Sequence, residues 1–354
     1  MSSPSSSAFQ PDDLFRQYEK SIRKHYKEKA LDRSSFKSKK RQLPSTSPSP
    51  LDEEWRRRVV DVRSPNTEGC EFEKVSAQSI GNGLEQSVEV YRLAPHLPQG
   101  FYIICGSISA DSQLRWAETC CERYSKEEHN NLSNLAAITE GARGCRDEDL
   151  WAAAVAEGDG FKRFHKLRWS CLGYHYDWTN RKYEKSLKSA FPEELATLSR
   201  ALAALVGMDL SAEAAICNYY PQGSYMSGHV DDAEHNMSEP IVSVSLGRSA
   251  LFLLGGRTRA EQPIPIRVRS GDVLVMGGES RYSFHGVPYV FSREEDEEYE
   301  LLHGLECALG DGPSNPGVRD FLADARINLN VRRVRVGEQW LCEKQGSGYR
   351  HGDK

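Results

Sequence analysis

Gly228-His229-Val230-Asp231 sets an imidazole and a carboxylate two residues apart. In an extended segment, residues i and i+2 point to the same side, so these two side chains can converge on one point. A third ligand must come from elsewhere. His285, in Tyr282-Ser283-Phe284-His285-Gly286, follows the apolar run from Asp272 to Gly277 and is placed to supply it; His235 and His303 compete from polar segments. Two histidines and one carboxylate on one face of an octahedron leave three positions open, the donor set that suits a non-haem Fe(II) centre. Alone the motif is weak, because 10 histidines and 51 acids produce a His-x-Asp by chance fairly often.

Residues 325–332 strengthen it. Arg326, Asn328, Asn330 and Arg332 alternate with Ile327, Leu329 and Val331, so a strand here carries two guanidiniums and two amides on one face. Burying such a face without an anionic guest is unfavourable, and a planar guanidinium holds a carboxylate through two hydrogen bonds. A solvated edge strand is the bland alternative, yet Asn twice stands where β-formers are favoured. By the same alternation Asn218 and Tyr220 share a face and could hydrogen-bond the same small acid. Taken alone, Tyr220 reads as a core aromatic with its hydroxyl at the surface.

The elements that must position these groups divide the chain in two. From residue 212 onward, short β-rich runs at 214–220, 240–246, 249–254, 264–269, 272–277 and 326–334 are separated by Gly and Pro. That texture, preceded by helices, predicts an α+β chain built on a β-sandwich or jelly roll. The stretches Arg293 to Glu300 and Gly310 to Gly317 read as a surface excursion between strands. Upstream, Asp111 to Tyr124 predicts a helix with an Asp cap, and Pro192 to Val206 one with Leu195, Leu198, Leu202 and Leu205 on one face and Gly207 after it. Ser and Pro crowd residues 2–7 and 44–50, as in a tail and a linker. Between them, Arg16 to Arg41 holds eleven Lys or Arg against Glu19, Glu28 and Asp32. Phe15, Tyr18, Ile22, Tyr26 and Ala30 recur at helical spacing there, so the segment is an amphipathic basic helix. Two roles stay open for it: a charged helix packed on the body, or a phosphate-binding arm.

Composition sets the outer bounds. With 354 residues, 38% hydrophobic and 27% charged, the chain can bury a sizeable core, which excludes a disordered or fibrous protein. No apolar run approaches the roughly 18 residues of a membrane span. The net charge is only −5, so a nucleic-acid surface requires local segregation of charge. Nine cysteines, without a Cys-x-x-Cys pair or a secretory leader, read as reduced thiols in an intracellular protein. Nucleus, cytoplasm and mitochondrion are left undecided.

Taken together, the pieces resemble the AlkB family of Fe(II)- and 2-oxoglutarate-dependent nucleic-acid dioxygenases. The resemblance runs in family order through Asn218-Tyr219-Tyr220, Ser227-Gly228-His229-Val230-Asp231, residues 240–247, Leu254-Gly255-Gly256, Ser270-Gly271-Asp272-Val273, Gly277-Gly278-Glu279-Ser280-Arg281, His285-Gly286 and residues 326–332. Leu167-Arg168-Trp169 and Leu172-Gly173-Tyr174-His175-Tyr176-Asp177-Trp178 are similar to the branch of the first eukaryotic homologue, and extend the likeness to about residues 90–340.

The resemblance implies a double-stranded β-helix (a jelly roll) with N-terminal helices and a nucleotide-recognition lid. It implies a basic extension over 1–50, helical support and lid over 51–210, a catalytic core over 211–340 and a tail over 341–354. His229, Asp231 and His285 would hold iron. Arg326 would bind the distal carboxylate of 2-oxoglutarate with Asn218, Tyr220, Asn328 and Asn330, and Arg332 would act beside cosubstrate and target base. Trp169, Tyr174, His175, Tyr176 and Arg259 would contact that base.

The resemblance also implies molecular oxygen as the second cosubstrate. The implied activity is oxidative removal of N-methyl groups from adenine: N6-methyladenine in unpaired or bulged DNA, or 1-methyladenine in tRNA, with release of formaldehyde and succinate. The implied enzyme is a monomer without membrane attachment. Arg163, Lys166, Arg168, Arg181 and Lys182, with the segment 16–41, would hold phosphates. Removing residues 1–41 is then expected to weaken nucleic-acid binding and spare cosubstrate turnover. Ala233 and Met276 depart from the family pattern and argue against direct repair of alkylation lesions. The competing readings are a nucleic-acid binder with little turnover and a zinc hydrolase; the second leaves the Arg/Asn strand unexplained.

Overall fold

The alternating apolar runs beyond residue 212 pair into two antiparallel sheets. The computed structural model describes residues 13–38, 49–64, 71–75, 88–126, 149–177, 180–297 and 316–336. The Ser/Pro stretches at 2–7 and 44–48, Trp178, His303, residues 310–315 and the tail from 341 lie outside them.

Among the described residues the larger sheet has nine strands. Their order is β1 (Phe72–Val75), β2 (Glu89–Leu93), β3 (Phe101–Cys105), β11 (Val273–Met276), β8 (Ile241–Gly247), β13 (Ala325–Arg332), β6 (Ala214–Pro221), β4 (Trp169–Asp177) and β5 (Lys182–Lys188). The smaller sheet runs β10 (Ile264–Val268), β9 (Ala250–Leu254), β12 (His285–Val290) and β7 (Met226–His229). From β6 to β13 the chain passes repeatedly from one sheet to the other, which is the jelly roll expected from sequence.

Six of its strands match the predicted runs to within about two residues. The exceptions, β7 and β12, carry Met-Ser-Gly-His and His-Gly-Val-Pro-Tyr-Val, too short or too interrupted for alternation to register. The region 51–210, read as helical, also contributes five strands that widen the larger sheet at both ends.

One face of the larger sheet is covered by helices α3 (Ala110–Glu122), α4 (Leu150–Glu157), α5 (Glu193–Ala204) and α6 (Pro316–Asp324), after α1 (Leu14–Ser38) and α2 (Pro50–Arg57) in chain order. Leu114, Cys120, Leu195, Leu202 and Phe321 pack there against Val242, Val244, Leu246, Ile327, Leu329 and Val331. Every second residue of β8 and β13 thus faces the helices, and the alternate residues face the other sheet. The cap of α3 is Ser109, whose hydroxyl accepts from the Ser112 N–H at 3.4 Å; Asp111 lies inside the helix.

Helix α1 packs on the smaller sheet. Phe15, Tyr18 and Ile22 are fully buried against Trp55 of α2, Leu251 and Leu253 of β9, and Tyr289 and Phe291 at the end of β12. Tyr26 stacks on Tyr289 with ring centroids 4.2 Å apart, while Ala30 is exposed. Arg16, Lys20, Lys24 and Lys27 are exposed on the far side. The start of the acidic stretch is anchored rather than a free excursion. Glu295 accepts from the Tyr289 hydroxyl at 3.1 Å, and Asp296 pairs with Arg267 at 2.6 Å. The five described cysteines are free and buried.

Candidate metal and cosubstrate centre

On β13, Arg326 lies opposite Tyr220 and Gly247, Asn328 opposite Asn218 and Ser245, and Asn330 opposite Ile216 and Ser243. Residues directly opposite share a face. The polar row of β13 is therefore flanked by Tyr220 and Asn218 on one side and by Ser243 and Ser245 on the other. Sequence reasoning did not single out the two serines, because their partner across the sheet is set only by register. Arg326 is 3% exposed, and its Nη2 donates to Ser245 Oγ at 2.8 Å. Its Nε and Nη1 are buried and have no hydrogen-bond partner. Burial lowers its pKa to about 10, the mark of a cation short of an anion. Asn328 Nδ2 donates to Ser243 Oγ at 2.8 Å and to the Val244 carbonyl at 3.0 Å, and Asn330 Oδ1 has no partner. The Tyr220 hydroxyl is not at the surface: the residue is buried and its O–H points to Met226 Sδ at 3.6 Å.

His229 ends β7, His285 begins β12, and the two are register partners with ring centroids 4.4 Å apart. Asp231 lies between them. Its Oδ1 is 3.7 Å from His229 Nε2 and its Oδ2 3.7 Å from His285 Nε2. The three ligand atoms fall within 4.8 Å of one another, the grouping of this kind found among the described residues. His235 does not join it and bonds through its backbone N–H to the Val334 carbonyl.

Each triad histidine has a carbonyl beside Nδ1, Ser227 at 2.9 Å and Ser283 at 3.2 Å. Donation from Nδ1–H to these carbonyls leaves both Nε2 lone pairs facing Asp231. Burial first, and His229 second, lower His285 to about 4, so it is neutral. Burial opposes ionisation of Asp231, but Arg332, His285, His229 and Arg281 together hold its carboxyl well below the usual range. A neutral His285 imidazole and the Asp231 carboxylate therefore stand ready as donors, with His229 Nε2 turned to the same point.

An acid that sequence reasoning missed supports this carboxylate. Glu234 is 1% exposed on its side chain and accepts from Arg332 Nη1 at 2.7 Å, Arg281 Nη2 at 2.9 Å and the Tyr183 hydroxyl at 3.1 Å. Arg332 Nη1 is also 3.2 Å from Asp231 Oδ1, and Arg281 donates to the Asp231 carbonyl. Ala233 occupies the position inspected for an acid; the irregular segment after Asp231 turns the next residue inward instead.

The aromatic candidates lie on the β4–β5 hairpin rather than on a helix. Trp169 is opposite Asn218 and so shares the face of the polar row. Gly173 has φ +69°, and a Cβ there would lie 2.1 Å from the Glu213 carbonyl oxygen, so this kink in β4 requires glycine. Beyond it Tyr174 is buried, with Lys188 Nζ at 4.6 Å and Arg335 Cζ at 5.5 Å from its ring centroid. His175 Nε2 lies 3.2 Å from Ser189 Oγ. Tyr176 is half-buried, packs on Tyr183 at 5.2 Å and feels the charges of Glu234 and Asp231. Arg259 donates to Asp13 at 3.0 Å and to the Gly228 carbonyl at 3.1 Å. The fold therefore brings Trp169 and Tyr176 toward the centre, and engages Tyr174, His175 and Arg259 within the chain.

The sequence pattern of the 2OG-Fe(II) oxygenase superfamily matches residues 100–332. This chain belongs to that superfamily. The chain is 41% identical over 173 residues to the DNA N(6)-methyladenine demethylase ALKBH1A of Arabidopsis thaliana, covering 48% of this chain and 49% of that one. It is 34% identical over 261 residues to the nucleic acid dioxygenase ALKBH1 of Homo sapiens, covering 68% and 65%. With the tRNA demethylase abh1 of Schizosaccharomyces pombe it shares 35% over 173 residues, 48% and 53% of the two chains. The likeness places the chain in the AlkB family, in the branch of the first eukaryotic homologue. It spans 49% to 65% of the length of these relatives.

The chain's own residues fit the cofactor and cosubstrates of the superfamily, Fe(II), 2-oxoglutarate and oxygen. The triad offers two imidazole nitrogens and a carboxylate, a donor set of the required kind. The buried Arg326 guanidinium, with donors left unpartnered and no acid bonded to it, offers the charge and N–H groups that a carboxylate needs.

Proposed function

We propose that this oxygenase removes N-methyl groups from adenine in nucleic acid. The observation that carries the reading is the pairing, across one sheet-lined interior, of the His229-Asp231-His285 cluster with an Arg326 guanidinium that lacks its anion. A hydrolase or a pure binder has no use for that second feature. When bound, Fe(II) with 2-oxoglutarate and oxygen supplies an oxidant that hydroxylates the N-methyl group; succinate and carbon dioxide leave, and the hydroxymethyl group breaks down to formaldehyde and the free N–H.

His229, Asp231 and His285 would hold the metal, each histidine oriented through its Nδ1–H. Arg326 would take the distal carboxylate of the cosubstrate on its buried guanidinium, with Tyr220, Asn218, Asn328 and Asn330 lining the same face. Arg332 holds Asp231 and Glu234 in place. The target base has to leave its stack to reach this interior, and Trp169 and Tyr176 would be the aromatic groups that meet it. Residues 211–340 are the catalytic core in this reading, 51–210 its support and lid, and 1–50 a basic extension.

The relatives' names point to methylated DNA and to tRNA as substrate classes, so N6-methyladenine in unpaired DNA and 1-methyladenine in tRNA are both carried forward. Buried free thiols agree with a reducing intracellular compartment. The test is nucleoside mass spectrometry after incubation with Fe(II), 2-oxoglutarate and a mixed set: single-stranded, bulged and duplex DNA with N6-methyladenine, and tRNA with 1-methyladenine. Loss of one mark with the native chain and not with His229→Ala establishes the reaction and its substrate. No loss anywhere, with metal and 2-oxoglutarate bound, would leave a nucleic-acid binder.

A further inference from the structure

Strand β7 is four residues long and lies at the edge of the smaller sheet, with β12 on one side. In an extended strand, a residue's N–H and C=O point to the same edge. Both groups of Gly228, next to the ligand His229, are taken by side chains from outside the sheet. Its N–H donates to Glu19 Oε1 at 2.8 Å, and its carbonyl accepts from Arg259 Nη1 at 3.1 Å. Glu19 is on α1 and is 4% exposed. Arg259 is itself fastened to the start of that helix, through Asp13 at 3.0 Å and through the Phe15 N–H on its own carbonyl at 3.0 Å. The Phe15 ring lies so close that a Cβ on Gly228 would be 2.3 Å from it, and one on Gly255 2.8 Å.

We infer that Glu19 is a positioning residue for the metal centre: by holding the free edge of β7 at Gly228, it sets where His229 presents Nε2. An edge strand this short has few hydrogen bonds of its own to fix its end. His229 takes its ring orientation from the Ser227 carbonyl, and Ser227 and His229 both flank the clamped glycine. The N-terminal helix, with its basic outer face, is therefore part of the metal site's scaffold and not a separable arm. Truncation of residues 1–41 lowers metal affinity as well as any affinity for phosphates.

The inference rests on the metal reading of His229, Asp231 and His285, and the test separates the two. The full chain, Glu19→Ala and Glu19→Gln are titrated with Mn(II), without nucleic acid or cosubstrate, and free Mn(II) is followed by electron paramagnetic resonance. Circular dichroism checks the fold. Glu19→Ala should bind Mn(II) about tenfold more weakly, as loss of an outer partner of a ligand does. Glu19→Gln should bind close to the native chain, because its amide oxygen accepts the same bond. A folded Glu19→Ala with native affinity overturns the inference, and so does equal loss in both variants. If Glu19→Ala does not fold, Arg259→Ala removes the other half of the clamp: a weaker loss supports the inference and native affinity overturns it. A native chain that binds no Mn(II) sinks the metal reading itself, and this inference with it.

Discussion

Arg326 has two buried donors without a partner, so cosubstrate affinity should depend on it more than on any amide of the same row. Arg326→Ala removes a charge-assisted pair of hydrogen bonds, about 3 kcal/mol, and should raise the KM for 2-oxoglutarate by about a hundredfold. Lysine at this position offers a point charge and should recover only part. Succinate formation against 2-oxoglutarate concentration measures both, and an unchanged KM would remove the carboxylate role. His229→Ala or Asp231→Ala should abolish metal binding and turnover together; activity surviving either change would end the triad assignment. Glu234 stands between two arginines in the interior. Glu234→Ala leaves Arg281 without its carboxylate partner and Arg332 with Asp231 alone, and should cost about 3 kcal/mol or more of stability, read as a lower urea midpoint. A midpoint like that of the native chain would make the network dispensable.

At the scale of elements, α1 and α2 meet around His25. Its Nδ1 accepts from Arg56 Nη2 at 2.5 Å, and its ring packs edge-on against Tyr26 and Trp55, with centroids at 4.9 and 5.6 Å. Burial first, then Arg56 and Lys29, lower His25 to about 4, with Asp52 opposing. The folded chain thus keeps His25 neutral below the ordinary value of 6.5, where the unfolded chain already takes up a proton. Stability from this contact is complete above pH 6.5 and is lost as pH falls from 6.5 to 4. Hydrogen exchange of residues 14–30, corrected for intrinsic rates, should accordingly rise across that window in the native chain. His25→Gln should flatten the rise, and an unaltered profile would assign it to other groups. Because the same helix clamps Gly228, the metal centre should weaken over the same range.

Over the whole molecule, a net charge of −5 is distributed unevenly. Lys182, Lys185 and Lys188 are exposed on β5, the outer strand of the hairpin that carries Trp169 and Tyr176. If they hold phosphates, changing all three to Gln should lower the slope of log affinity against log salt for single-stranded nucleic acid by about 2. An unchanged slope would move the phosphate contacts elsewhere, with the exposed face of α1 next in line. How far such a site can be read from sequence depends on the range of the interactions that build it. His229, Asp231, the alternating face of β13, the jelly-roll strands and the amphipathic face of α1 were legible in the sequence by itself, because periodicity and two-residue spacing act within one segment. The strands β7 and β12, the inward turn of Glu234, the engagement of Arg259 and the clamp of Glu19 on Gly228 were decided only by the tertiary structure. Each of these depends on which distant backbone edge or buried charge a side chain must satisfy, and that is set by strand register across the fold.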